Sequence, residues 1–196
     1  MNCKQVFTLW FFLASGAVLA AHPHVWADVQ AEMTIQGGFV EGVWAVWTFD
    51  EVFSQLILED NDPQGKGRID DAVNASIRKT YFENLKAYDY YSHFQLGTKR
   101  LAVPEPTNFR AAMTPGGRIQ YRFFFPLAVR LDARTPLAVA FYDETFFTDM
   151  VFEKTQPVRL KVSQGGKANL KIRPDKSKSY YGGMVTPTFA FINWES

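Results

Sequence analysis

Strict alternation of apolar and polar residues at the start of the working chain constrains its fold more than any other feature. Val25, Ala27, Val29, Ala31 and Met33 fall on one side; His24, Trp26, Asp28, Gln30 and Glu32 fall on the other. Successive side chains of a strand point to opposite faces, so this period of two predicts a half-buried strand. Gln36-Gly37-Gly38 supplies a turn, and a second apolar run extends from Phe39 to Phe49. Together they predict a hairpin.

The period then changes. Val52 to Leu58 is apolar with few breakers and reads as a helix. Ile69, Val73, Ile77, Tyr81, Leu85 and Tyr88 recur at steps of four and three, one face of an amphipathic helix of roughly five turns. Further on, Ile119, Tyr121, Phe123 and Phe125 restore alternation. Short strands are predicted over 137–142, 149–154, 158–162, 168–172 and 188–193. Turn signals such as Thr114-Pro115-Gly116-Gly117 and Gln164-Gly165-Gly166 separate several of them. The expected fold is mainly β, of the α+β kind: a sandwich-like single domain with two helices inserted after the first hairpin. Aromatic residues make up 16% of the chain, enough to fill such a core.

The N-terminus has the plan of a secretory signal: Lys4, an apolar run from Val6 to Leu19, then small residues at Ala20 and Ala21. The run is shorter than the roughly 20 residues a membrane span needs. The expectation is a signal over 1–21, removed after Ala20 or Ala21, and one periplasmic domain over 22–196 that is not itself membrane-embedded. The one cysteine, Cys3, precedes the apolar run, so the mature domain has no disulfide, thiolate metal site or cysteine nucleophile. Removing Lys4 from 21 basic residues leaves 20, against 20 acidic ones. Nucleic acid is therefore not an expected partner. The basic stretch from Lys167 to Lys178 reads as a solvated loop or edge.

Two of the three histidines, His22 and His24, stand one residue apart at the processed terminus; the third is His93. On a strand, His22 and His24 share a face, and imidazole is the commonest transition-metal ligand. Asp28 lies on that face about 13 Å from His24, at about 3.3 Å per residue, too far to join them. Two acids end strands beside aromatics: Asp50 in Trp47-Thr48-Phe49-Asp50-Glu51, and Asp143 in Tyr142-Asp143-Glu144-Thr145-Phe146-Phe147. Each reads either as a cap or turn former, or as an oxygen donor near a metal. The loop from Asp62 to Ile69 resembles a calcium loop, but Lys66 occupies the fifth position and Val73 the twelfth, where acids belong. No calcium is expected there. Hydrolase, zincin and phosphate-loop signatures are absent from the sequence, so a binding protein is expected before an enzyme.

His22-Pro23-His24-Val25-Trp26, the Trp47 to Ser54 segment, the degenerate Asp-rich loop and Tyr142 to Phe147, in this order after a signal, resemble the bacterial periplasmic domain-of-unknown-function family 1007. The resemblance implies the periplasmic component of an ABC-type transport system associated with nickel/cobalt-type transporters. Lys66 departs from the family pattern, which has an acid there. The expected function is a periplasmic accessory protein that holds Ni²⁺, Zn²⁺, Co²⁺ or Cu²⁺ for a membrane metal transporter. Its candidate ligands are His22 and His24, completed by His93, Asp50 or Asp143. One alternative is a copper-dependent oxidative enzyme whose His22 amine and ring form a brace with a second histidine. Another is a metal-free interaction module.

Overall fold

The computed structural model describes residues 23–62, 65 and 67–195. The signal segment, His22 and Lys66 lie outside them. The opening alternation becomes β1 (Val25–Gln36), whose apolar positions are buried in turn, and β2 (Phe39–Phe49) pairs with it antiparallel across the Gly37-Gly38 turn. Two helices follow, α1 (Glu51–Asn61) and α2 (Asp71–Ile77). The remaining strands are β3 (Ser92–Leu96), β4 (Lys99–Arg100), β5 (Thr107–Met113), β6 (Ile119–Arg130), β7 (Leu137–Phe141), β8 (Thr148–Phe152), β9 (Val158–Ser163), β10 (Lys167–Pro174) and β11 (Thr188–Glu195).

The strands form two sheets, ordered β5-β6-β2-β1-β8 and β10-β11-β7-β3-β4, with β9 also paired to β1. One buried cluster joins them: Trp47 of β2 meets Phe141 of β7 at 6.1 Å, and Phe125 of β6 meets Phe94 of β3 at 5.1 Å, both edge-on. The expected sandwich-like α+β architecture with its two-helix insertion is thus observed. The basic stretch forms the edge strand β10 and the turn after it.

Strands β3, β4 and β5 have no counterpart in the periodicity; β4 has only two residues, and β4 and β5 lie at sheet edges. The long helix also differs from expectation. After α2 it widens into a π turn at Arg78–Phe82, then tightens into a 3-10 segment at Glu83–Tyr91. A π turn inserts one extra residue, so the buried face passes from Val73 and Ile77 to Phe82 rather than Tyr81. Phe82 then packs on Phe109 and Phe123 at 4.3 and 4.7 Å. Asn61 ties α1 to this helix, accepting from the Ser76 and Thr80 hydroxyls. No helix of the described residues is long and apolar enough to cross a membrane.

Gly42 marks an irregularity in the β2–β6 register, where the two backbones press together. A Cβ there would lie 2.1 Å from the Phe125 carbonyl oxygen and 2.5 Å from the Phe124 ring. Gly42→Ala is expected to destabilise the domain by about 2–3 kcal/mol through overpacking. Urea unfolding measures it; a loss below about 0.5 kcal/mol, the scale of a neutral surface change, would contradict the close approach.

Candidate functional site

The segment after β7 is shaped by one carboxylate. Asp143 is 1% exposed, and its Oδ1 accepts from the Thr145 amide (2.9 Å) and hydroxyl (2.7 Å). Its Oδ2 accepts from the Thr148 amide at 3.0 Å. These bonds fold the segment back so that Phe146 sits at φ +58° and β8 starts at Thr148. The Phe147 carbonyl then accepts from the His24 amide (2.9 Å) and the Val25 amide (3.3 Å). The His24 and Phe147 rings lie 5.0 Å apart. From Val25 paired with Thr148, β1 runs parallel to β8.

Asp50 holds the same strand from the other side. Its Oδ2 accepts from the Trp26 amide and its Oδ1 from the Phe53 amide, each at 2.9 Å, so it caps α1 and grips β1 at once. Its own amide donates to the Trp26 carbonyl at 2.9 Å. The three sequence motifs therefore meet where β1 begins.

Of the five candidate ligands, His22 lies outside the described residues. His24 is exposed at the start of β1. Asp50 and Asp143 flank that start, and both oxygens of each carboxylate already accept hydrogen bonds. His93 belongs to the second sheet, buried against Tyr142, with ring centroids 3.6 Å apart and nearly parallel. Its Nε2 lies 3.1 Å from the Tyr142 carbonyl oxygen. A carbonyl only accepts, so Nε2 carries the proton and Nδ1 is the acceptor nitrogen. Burial lowers the His93 pKa, against the opposing pull of the Tyr142 carbonyl and of Glu144. His93 and Asp143 line one side of a polar cavity of about 310 Å³ with Tyr88, Asp89, Arg100 and Glu144. Asp28 is engaged with Arg118 at 2.7 Å. Among the described residues, no three His, Cys, Asp or Glu side chains gather into a group that could hold a metal ion.

Sequence reasoning missed Tyr91, Thr148 and the turn that carries Tyr91. Asp89, Tyr90 and Tyr91 take φ values of 51, 49 and 47°, a left-handed run without glycine. It turns the helix into β3 and brings the Tyr91 carbonyl to the Tyr142 amide at 2.9 Å. Burial and the Asp143 charge push the Tyr91 phenol up to about 12, against a hydrogen bond with Thr148. The one local signal was Asp89, a residue that tolerates the left-handed region better than most.

Residues 6–184 match a protein family described as "Protein of unknown function (DUF1007)". The chain belongs to this family. It is 56% identical over 138 residues to an "Uncharacterized 15.5 kDa protein in trpE 3'region" of Spirochaeta aurantia, covering 70% of this chain and 98% of that one. It is 27% identical over 157 residues to an "Uncharacterized protein" of Haemophilus influenzae, covering 76% and 71%. No solved structure matches the chain.

Two outcomes follow from this geometry. Asp143→Ala strips the buried Thr148 amide and the Thr145 donors of their acceptor and should cost about 2–3 kcal/mol, read by urea unfolding. A cost within about 0.5 kcal/mol, the range of a neutral surface change, would remove the carboxylate from its structural role. For His93, the folded pKa lies below the ordinary 6.5, so the unfolded chain binds its proton first as pH falls. The His93 contribution to stability is complete above the unfolded value and shrinks as pH drops below about 6.5. The stability lost between pH 7.5 and 5.5 should therefore be smaller in His93→Phe than in wild type. Equal losses would contradict a buried neutral ring.

Proposed function

We propose that this protein is a periplasmic accessory protein that binds a divalent transition metal and serves a membrane metal transporter. The supporting observation is how β1 is held. Two aspartates on opposite sides fix the start of β1, directly after the histidine pair, and the His24 amide is itself held by the Phe147 carbonyl. His22 and His24 are the metal ligands. The donor chemistry fits Ni²⁺, Zn²⁺, Co²⁺ or Cu²⁺: imidazole suits all four, and the sequence after the signal contains no cysteine to favour softer ions. Asp50 and Asp143 act as positioning residues, since backbone amides occupy their oxygens. The metal is cargo, and the family resemblance implies the transporter as partner and the periplasm as location.

Calorimetry on untagged protein lacking residues 1–21 tests this reading. Ni²⁺, Zn²⁺, Co²⁺ or Cu²⁺ should bind one site, and the affinity should fall on acidification, because the imidazole must shed its proton to ligate. His22→Ala combined with His24→Ala should abolish tight binding and leave the melting temperature nearly unchanged. Asp50→Asn should lower affinity about tenfold, as expected when a group that orients a ligand is lost. Undiminished affinity in the double histidine variant would end the proposal.

A further inference from the structure

A second cavity lies between the first sheet and the helices, and it differs from the polar one in its chemistry. It holds about 240 Å³ and no charged side chain lines it; Phe53, Leu85, Tyr91, Phe147 and Met150 are among its walls. Four of its residues carry a polar group on an aromatic ring: Trp47, Tyr81, Tyr91 and Tyr121. Tyr81 donates to Asp60, and Tyr91 bonds with Thr148. The other two have no such partner. Trp47 Nε1 and the Tyr121 hydroxyl are buried, and neither finds a hydrogen-bond partner in the protein. Each residue is 1% exposed.

These two are cross-strand neighbours. Trp47 of β2 pairs with Tyr121 of β6, so both side chains leave the same inner face of the sheet side by side. A buried donor without an acceptor is costly, and native interiors rarely keep one, let alone an adjacent pair. A carbonyl oxygen has two lone pairs and can accept from two donors at once. Val25, Phe49, Phe53, Leu85, Phe147 and Met150 make most of the remaining wall apolar, which suits the body of a small organic molecule. An ionised ligand is disfavoured, because the apolar wall would strip its water without supplying a counter-charge. The size sets a further limit: a dry protein cavity of about 150 Å³ accepts benzene. This one has room for a ring with a short acyl group.

We propose that the cavity is a binding site for a small, neutral, largely apolar molecule whose carbonyl-type oxygen accepts hydrogen bonds from Trp47 Nε1 and the Tyr121 hydroxyl. Phe147 forms part of its wall and also touches His24, so the site adjoins the start of β1 while using none of the metal-ligand candidates. The inference is independent of metal binding.

Two probes of nearly equal shape test it. Acetophenone carries the carbonyl; α-methylstyrene replaces the oxygen with a methylene. Both are titrated into metal-free protein lacking residues 1–21, observed by the indole N–H signals in proton–nitrogen spectra, with the Trp47 signal identified by its loss in Trp47→Phe. Acetophenone should shift the Trp47 indole proton downfield in a saturable way and bind about tenfold tighter than α-methylstyrene, the worth of one net hydrogen bond. Tyr121→Phe keeps the ring and removes the hydroxyl; it should still bind α-methylstyrene and show a smaller preference for the ketone. Equal affinity of the two probes for the wild type would overturn the carbonyl assignment, as would an unmoved Trp47 signal. No saturable binding of either probe would overturn the site itself. A metal titration that fails leaves these outcomes untouched, because neither probe is a metal chelator.

Discussion

The pairing of β1 on both of its edges is the interaction on which the remainder of the molecule depends. On one side β2 runs antiparallel along it. On the other, β8 pairs parallel from Val25 to Val29 and β9 takes over from Ala31 to Gln36. At the changeover Glu153 donates its amide to Val29, and the Pro157 carbonyl accepts from Ala31, so neither edge loses a partner where one strand replaces the other. A parallel partner cannot be reached by a tight turn. The chain therefore builds most of the second sheet before it returns to β1. The first described residues and residues more than a hundred positions later close the structure together.

That closure needs β8 to begin at one definite residue, since a slip by one would turn every side chain to the wrong face. Asp143 supplies the definition. Its carboxylate gathers Thr145 and Thr148 and leaves the Phe147 carbonyl facing the amides of His24 and Val25. Asp50 does the corresponding work at the end of β2, where the strand becomes α1. The acids that stand beside aromatics in the sequence are thus a matched pair of clamps. Their oxygens accept from the Trp26 and Phe53 amides in one case and from the Thr145 and Thr148 amides in the other, which fixes both flanks of the point where β1 begins.

The helical insertion bears on the interior in a different way. Its π turn rotates the apolar stripe, so Phe82 rather than Tyr81 enters the core, and Tyr81 is left to reach Asp60. Tyr81 and Leu85 of this insertion line the cavity opposite the rings of the first sheet. Trp47 and Tyr121 face the interior on the sheet side with donors that no neighbouring residue satisfies. A core built for stability alone would carry phenylalanine at Tyr121, since an unpaired hydroxyl only subtracts.

By itself the sequence determined the period of most elements, and hence the hairpin, the presence of two helices, most of the strands and the layered architecture. Periodicity is a local property, set by which face of an element must leave water. The histidine pair and the two acid-bearing motifs were equally visible as residue types. What the sequence left undecided was which of them meet. Asp50 and Asp143 read either as caps or as metal donors, and only the folded chain shows whose amides they accept. His93, grouped with His22 and His24 by residue type, sits instead on the second sheet against Tyr142. The cavity was invisible for the same reason. Trp47 and Tyr121 are far apart along the chain and become neighbours only through the β2–β6 register, and whether their donors find an acceptor depends on everything packed around them. Partnership is a property of the tertiary structure, because hydrogen bonds are satisfied in space and not along the chain.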